Sequence, residues 1–194
     1  MRIISGAARG IRLTAPAGRD VRPTEDRVKE ALFATIGDLA DSVVVDLFAG
    51  TGALGLEAFS RGARSVRFVE KAQAHCRVIK QNLQAVLKAM GNPPTPDIDV
   101  LCGDASRAPA LLAQLAGSCD VILADPPYHP PAGAYGAREL LLDAAFAAWA
   151  GPQALLVLEF GADVSLPWSP DSPWRALKIK TFGIRAVAFA KLVQ

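Results

Sequence analysis

The sequence predicts an α/β protein with a doubly wound, mostly parallel sheet, and three observations carry this prediction. Apolar, β-branched segments alternate five times with segments of helical periodicity. A glycine-rich turn follows the first buried strand, as it does where a strand enters a helix beside a bound ligand. Two further strands near the carboxyl end of the chain, separated by Gly183 and its neighbours, should form an antiparallel hairpin at one edge.

Each element has its own signal in the sequence. Thr24 fits the N-cap of the first helix, because two acids follow it at the positive end of the helix dipole. Glycine and proline mark the interruptions, most clearly at residues 91–94, 129–136 and 167–173. The predicted strands cover residues 2–4, 11–13, 43–46, 65–70, 99–102, 119–124, 154–159, 175–182 and 184–191. The predicted helices cover residues 24–39, 56–61, 108–115 and 138–149, and a long helix follows Glu70 and stops at Gly91, with its apolar stripe between Ile79 and Met90.

Composition favours one globular domain with a small appendage. The 194 residues can bury one core, and 51% hydrophobic with 21% charged residues is typical of a globular protein. No apolar run approaches the roughly 20 residues that span a bilayer, and the first residues do not resemble a signal peptide. Three widely spaced cysteines and two histidines argue against disulfides and a zinc site. We therefore expect a cytoplasmic protein that uses no metal and no membrane.

The amino-terminal segment, residues 1–22, is basic. Its formal charge is +4, so the remainder of the chain carries −2 of the total of +2. Arginine forms paired hydrogen bonds with phosphate, and the absence of lysine here favours an anionic partner over a merely solvated arm. The arginines of this segment are Arg2, Arg9, Arg12, Arg19 and Arg22. We treat residues 1–22 as a basic β-hairpin arm and residues 23–194 as the main domain.

Acids end the predicted strands at the edge where such sheets bind ligands. These acids are Asp46, Glu70, Asp104, Asp125 and Glu159. Asp104 could accept a hydrogen bond from an adenine amine or cap the helix that follows it, and the sequence favours neither.

The glycine-rich turn runs from Asp46 to Gly55 and contains the spacing G-x-G-x-x-G, with Glu70 twenty positions after Gly50. This spacing also fits a nicotinamide dinucleotide site, in which the acid holds a ribose hydroxyl. Asp46 would repel a pyrophosphate and suits a cofactor with a sulfonium and an ammonium, such as S-adenosylmethionine. The turn therefore predicts a cofactor site, with the cofactor undecided between the two.

The stretch Asp125-Pro126-Pro127-Tyr128 follows a buried strand and favours methyl transfer to an amine. Two prolines remove two backbone donors and fix the loop, so that its carbonyls face one side. Together with the Asp125 carboxylate they offer acceptors for an exocyclic amine, and Tyr128 offers a surface on which a base can stack. Such acceptors draw the amine nitrogen towards tetrahedral geometry and free its lone pair for attack on a methyl group.

These motifs, with Arg2-Ile3-Ile4-Ser5-Gly6 and the run from Arg22 to Phe33, resemble the RsmD family of 16S ribosomal RNA guanine-N2 methyltransferases. The resemblance covers nearly the whole chain. It implies the seven-stranded, Rossmann-like class I S-adenosylmethionine-dependent methyltransferase sheet, in the order 3-2-1-4-5-7-6 with strand 7 antiparallel. The amino-terminal hairpin and first helix are then an extension of this sheet, and residues 23–194 the methyltransferase domain.

The resemblance also implies roles for individual residues. S-adenosylmethionine would be held by Thr24, Asp46, Phe48, Ala49, Gly50, Thr51, Gly52, Glu70, Asp104 and Ala105. The target base would be served by Asp125, Pro126, Pro127 and Tyr128. Arg2, Arg9, Arg12 and Arg22 would contact RNA. The implied partner is the 16S ribosomal RNA of the small ribosomal subunit, and we expect a monomer.

Three alternatives are retained. An adenine-N6 DNA methyltransferase could use the same Asp-Pro-Pro-Tyr stretch, although 194 residues leave little room for a target-recognition domain. A nicotinamide-dependent oxidoreductase would fit the glycine spacing, but His75 falls in a helix and His129 in a proline-rich loop, so neither is an obvious hydride-transfer base. A non-catalytic RNA-binding protein would leave the Asp125 stretch without a use.

Overall fold

The structure is a computed structural model that describes residues 1–15, 26–93 and 96–193. The strands are β1 (Val43–Leu47), β2 (Ser65–Glu70), β3 (Asp97–Cys102), β4 (Val121–Ala124), β5 (Leu155–Gly161), β6 (Trp174–Phe182) and β7 (Arg185–Leu192). They form one sheet in the order β3-β2-β1-β4-β5-β7-β6. The first five pair in parallel, whereas β7 is antiparallel to both β5 and β6. This confirms the predicted fold class, strand order and antiparallel seventh strand.

Burial explains why the central strands are continuously apolar. Every residue of β1 and β4 is buried, because elements pack on both faces of the sheet. Successive side chains point to opposite faces, so Val44 joins the core cluster on one side and Val45 the cluster on the other. The carboxyl ends of these strands therefore rest on a rigid, doubly covered centre.

The helices of the described part are α1 (Asp26–Ile36), α2 (Ala53–Ser60), α3 (Gln73–Ala89), α4 (Ala108–Leu111), α5 (Ala137–Leu142) and α6 (Ala144–Ala150). The prediction of one helix over residues 138–149 is wrong, because the helix breaks at Asp143. That residue is extended, and its Oδ1 accepts from the amides of Ala145 and Phe146 at 2.9 and 3.0 Å. It thereby ends α5 and caps α6, as aspartate does at helix starts.

The single helix predicted over residues 108–115 is also broken. A 3-10 turn at Ala105–Arg107 leads into α4, which has only four residues, and a second 3-10 turn covers Ala113–Leu115. Leu112 separates the two at φ −123° and ψ 35°, outside helical geometry. Leu112 is fully buried, so tertiary packing rather than helix propensity sets this segment.

The amino-terminal segment pairs with itself through a single bridge between Arg2 and Arg12 rather than through the two predicted strands. It packs against α2 instead of standing apart. Ile3 is fully buried in the core, and the amides of Ile4 and Ser5 donate to the Glu57 carboxylate at 2.7 and 3.0 Å. Gly6 is needed at this contact, because a Cβ there would lie 1.7 Å from the Ser60 carbonyl oxygen.

Several sequence predictions fall on residues that the structure does not describe. Thr24 as N-cap, Arg22 as an RNA contact and the division between residues 22 and 23 all lie outside the described ranges. In the described ranges no helix is long and apolar enough to cross a membrane. The same ranges hold no cluster of three or more histidine, cysteine or acidic residues arranged to bind a metal.

Candidate active site

A cleft of about 640 Å³ lies at the carboxyl ends of β1, β2, β4 and β5. It brings the glycine-rich turn opposite the Asp125 stretch, which are about seventy positions apart in the chain. Among the predicted cofactor residues that the structure describes, Gly52 alone does not line the cleft, and the four predicted base-binding residues all do. The lining that the sequence analysis gave no role comprises Met1, Ala53, Leu54, Val69, Lys71, His75, His129, Glu159 and Arg185.

The glycine-rich turn requires unusual backbone geometry. Gly50 and Gly52 have φ values of 56° and 76°, and Phe48, which is not a glycine, has φ 57°. Gly52 precedes the first turn of α2, and a Cβ there would press on Ile79 at 3.0 Å. The role of Gly52 in the structure is therefore conformational, since it lets the chain turn tightly into the helix.

Three amides of this turn are already bonded within the protein. The Gly50 amide donates to Glu70 Oε2 at 2.8 Å, and the Gly55 amide donates to Asp46 Oδ2 at 2.8 Å. The Gly52 amide donates to the Ala49 carbonyl at 2.7 Å. A pyrophosphate at a helix start needs free amides, and these three are not free.

Asp46 lies beneath the turn and is almost fully buried. Burial raises its pKa to about 8, and the hydrogen bond from Gly55 opposes that rise. Near neutral pH the carboxyl is thus largely protonated, which weakens the sequence-based argument that its charge repels a pyrophosphate.

Glu70 connects the ends of β1 and β2. Its Oε2 accepts from Gly50, and its Oε1 accepts from the Ala72 amide at 2.8 Å. His75 Nδ1, in the first turn of α3, lies 3.5 Å from the same Oε1. Each carboxylate oxygen can accept more than one hydrogen bond, so Glu70 can still hold a ribose diol while it organises the loop.

Asp104 caps the 3-10 turn that follows β3. Its Oδ1 accepts from the Ser106 amide at 2.9 Å, and this hydrogen bond lowers the pKa of the carboxyl. The capping alternative is therefore present in the structure. Oδ2 takes no part in the cap, so acceptance from an adenine amine stays a prediction.

The Asp125 carboxyl differs from the acids on the cofactor side. Within the described residues it forms no hydrogen bond and no ion pair with another side chain. Burial and the neighbouring charge of Glu159 raise its pKa well above the ordinary value, while Arg185 opposes the rise. Pro126 is buried and Pro127 exposed, and neither offers a backbone donor to Asp125. The acceptor side of the cleft thus holds a carboxyl that the protein itself does not satisfy.

Tyr128 is held by a hydrogen bond to Glu159, a residue to which the sequence assigned no role. Its hydroxyl donates to Glu159 Oε1, and Arg185 Nη1 on β7 lies 3.6 Å from the same oxygen. Glu159 lies in β5, two residues before its end, and is 2% exposed. Its position as an acid at a strand end was a signal in the sequence, but its partner on β7 was not foreseeable.

The loop at residues 129–136 continues from Tyr128 along the rim of the cleft. Tyr135 stacks on Phe48 with ring centroids 6.4 Å apart, and its hydroxyl donates to Asp143 at 2.9 Å. His129 is exposed, with Nε2 3.5 Å from Asp163 Oδ2. Tyr135 therefore packs on Phe48 of the cofactor side, whereas His129 is an exposed part of the cleft lining.

Met1 forms part of the lining of this cleft, whereas the turn at residues 6–10 bonds to Ser60 at the other end of α2. Arg9 and Arg12 are exposed, and neither is in an ion pair within the described residues. Arg2 is also exposed, but its Nε lies 2.8 Å from Asp26 Oδ2 at the start of α1. Arg9 and Arg12 are thus open to an anionic partner.

Comparison with known proteins gives consistent matches over most of the chain. The family model described as Conserved hypothetical protein 95 matches residues 1–191. Ribosomal RNA small subunit methyltransferase D of Escherichia coli K12 is 35% identical over 188 residues, which is 94% of this chain and 85% of that protein. The protein of the same name from Haemophilus influenzae is 36% identical over 185 residues, or 95% of this chain and 90% of that one.

A solved structure agrees with these matches. The yhhF protein of Escherichia coli, described there as a proposed methyltransferase, superposes with a TM-score of 0.75 at 29% identity. The superposition covers 99% of this chain and 97% of that one. Fold and sequence therefore point to the same relatives.

Proposed function

The chain belongs to the RsmD family of ribosomal RNA small-subunit methyltransferases, and we propose that it methylates the exocyclic N2 amine of a guanine in small-subunit RNA. The observation that supports this proposal most is the unsatisfied Asp125 carboxyl, which faces the glycine-rich turn across one cleft. Membership of this family removes the nicotinamide-dependent oxidoreductase and the non-catalytic RNA-binding protein as alternatives. The adenine-N6 alternative becomes an outcome of the test below.

We propose S-adenosylmethionine as the methyl donor, because the residues of the cleft fit it. The Gly50 and Gly55 amides already donate to Glu70 and Asp46, and Glu70 and Asp104 keep further lone pairs for a ribose diol and an amine. Phe48 and Ala105 add apolar surface to this side. When bound, S-adenosylmethionine supplies a methyl group made electrophilic by its sulfonium.

The acceptor side would prepare the guanine amine. The Asp125 carboxylate and the Pro126 carbonyl would accept from the two N2 hydrogens, which would turn the nitrogen lone pair towards the methyl donor. The nitrogen forms its bond to the methyl carbon as the carbon–sulfur bond breaks, and the proton that the nitrogen loses passes to Asp125. Tyr128, anchored by Glu159, gives the extruded base a surface for stacking.

The basic arm would bind the RNA. Arg9 and Arg12 are exposed and would contact phosphates, and we include Arg2 and Arg22 in the same proposal. In this proposal residues 1–22 serve RNA binding and residues 23–194 serve catalysis. A ribosomal RNA substrate would place the enzyme in the cytoplasm.

Product analysis tests the proposal directly. The protein is incubated with S-adenosylmethionine labelled at the methyl group and with small ribosomal subunits, naked small-subunit RNA or duplex DNA. The nucleic acid is then digested and its nucleosides are separated. We expect label in N2-methylguanosine from the RNA samples, whereas label in N6-methyladenine from DNA would overturn the proposal in favour of the adenine alternative.

Calorimetry tests the cofactor separately. We expect S-adenosylhomocysteine to bind the protein and NADH to release no heat above dilution. Binding of NADH with comparable affinity would contradict the assignment of the turn. This measurement needs no RNA, so it stands whichever nucleotide is methylated.

A further inference from the structure

We propose that Glu159 selects guanine by accepting a hydrogen bond from its N1–H while the N2 amine lies against Asp125. The inference rests on the proposed guanine-N2 function and adds the residue that distinguishes guanine from other bases. Asp125, Pro126 and Tyr128 can serve any exocyclic amine, so they leave the choice of base open. The choice requires a group that contacts the ring atom beside the amine.

Glu159 has the position and the unused hydrogen-bond acceptor for this contact. It lines the cleft at the end of β5, beside Tyr128, and its side chain is 3% exposed. One oxygen, Oε1, accepts from the Tyr128 hydroxyl. The other, Oε2, is buried and has no hydrogen-bond partner within the described residues. A buried carboxylate oxygen without a partner is costly, and a ligand donor would satisfy it.

The chemistry of the bases makes such an oxygen selective. Guanine carries an N1–H donor next to its N2 amine. Adenine and cytosine carry a lone pair on the ring nitrogen next to their amines. An ionised carboxylate only accepts hydrogen bonds, so it pairs with guanine N1–H and repels the lone pair of the other two bases. Discrimination is strong where a mismatch leaves a buried polar group unpaired.

The neighbours of Glu159 orient its carboxyl group. The groups that face it are the Tyr128 hydroxyl, the Arg185 guanidinium and the Asp125 carboxyl. Burial raises the pKa of Glu159, whereas the Tyr128 hydrogen bond and the Arg185 charge oppose that rise. Tyr128 holds Oε1, which leaves Oε2 for the base.

The test uses a base that keeps the amine and lacks N1–H. 2-Aminopurine has the 2-amino group of guanine but a lone pair at N1. Small-subunit RNA is assembled by ligation with either guanine or 2-aminopurine at the methylated position, and kcat/KM is measured for both. We expect the protein to prefer guanine by about 10- to 100-fold, the range that loss of a hydrogen bond to a charged group produces.

Glu159→Gln should reduce this preference to about threefold or less, since an amide can donate to the N1 lone pair as well as accept from N1–H. Tyr128→Phe is the matched control, because it removes the hydroxyl that holds Oε1 and keeps the ring. If Glu159 only anchored Tyr128, the two variants would slow both substrates equally and leave the ratio unchanged. We expect the ratio to change in Glu159→Gln and to stay near that of the unaltered protein in Tyr128→Phe.

Binding of S-adenosylhomocysteine shows whether Glu159→Gln is folded. If it is not, Glu159→Asp, which keeps a carboxylate but draws it back from the base, is tested in the same way. A smaller preference for guanine in this variant supports the inference, and an unchanged preference overturns it.

Two failures remain distinguishable. If the unaltered protein produces no N2-methylguanosine, the proposed function fails. If it produces N2-methylguanosine but does not prefer guanine to 2-aminopurine, or if folded Glu159→Gln keeps the preference, Glu159 does not select the base. The proposed function would then stand without it.

Discussion

The two walls of the cleft use their carboxyl groups in opposite ways. On the cofactor wall, Glu70 accepts from two backbone amides and Asp46 from one, so these acids hold the loops in place. On the acceptor wall, Asp125 has no hydrogen-bond partner within the described residues, and Glu159 keeps one buried oxygen unpaired. Pro126 and Pro127, which follow Asp125 directly, contribute no backbone donors.

This contrast indicates which wall is complete before a ligand arrives. The cofactor wall is organised by its own hydrogen bonds, so a cofactor meets a formed surface. The acceptor wall holds unsatisfied acceptors, and the donors of a base edge would satisfy them. Substitutions on the two walls should therefore affect different properties of the protein.

The largest effect is expected for Asp125→Ala. We expect methyl transfer to fall by at least about 100-fold, because the variant loses the group that orients the amine and takes its proton. S-adenosylhomocysteine affinity, measured by calorimetry, should stay within about threefold, since hydrogen bonds to other residues form the cofactor wall. Asp163→Ala is the control, because Asp163 is an exposed acid beside the same loop. Full activity of Asp125→Ala would refute the role of Asp125.

The next largest effect should be a difference in the free energy of unfolding between variants of the two walls. Glu70→Ala leaves the amides of Gly50 and Ala72 without their acceptor, so we expect the free energy of unfolding to fall by about 2–4 kcal/mol. Asp125→Asn should leave it unchanged or raise it, because a half-buried carboxyl with no protein partner is replaced by a neutral group. Urea unfolding measures both. Equal losses in the two variants would remove the distinction between the walls.

The pH dependence of stability should report on Asp46. Between its ordinary pKa of 3.8 and about 8, the folded chain holds a proton that the unfolded chain has released. The free energy of unfolding should therefore fall as pH rises through this window, by up to about 1.4 kcal/mol per pH unit from this group. Asp46→Asn keeps an acceptor for the Gly55 amide and should flatten the slope. Urea unfolding at several pH values that gave parallel curves would contradict the raised pKa.

The smallest effects should come from the arm, which is expected to act on RNA without involving either wall. Replacing Arg9 and Arg12 by alanine should weaken RNA binding and reduce the slope of log affinity against log salt by about one per lost phosphate contact. Adding Arg22→Ala should extend the trend. Arg175→Ala, an exposed arginine on β6, is the control. An unchanged salt slope in filter binding would argue against phosphate contacts by the arm.

Much of this architecture was predictable, and the failures have local causes. Buried strands such as β1 can be predicted because a strand covered on both faces is almost continuously apolar. The glycines at positive φ predict the turn into α2. The break at Asp143 was missed because a segment rich in alanine and leucine predicts a continuous helix. One aspartate that caps the next helix and bonds Tyr135 interrupts it. The packing of the arm was also not predicted, since Ile3 is buried in the core.

The sequence by itself determined the sheet, the glycine turn and the Asp125 stretch, because each depends on residues that are neighbours in the chain. It could not decide how the carboxyl groups are used. Glu70 bonds Gly50, and Glu159 meets Tyr128 and Arg185, across strands that only the fold brings together. Whether an acid holds its own loop or awaits a ligand depends on the hydrogen-bond partners that packing places around it, and tertiary structure alone decides those.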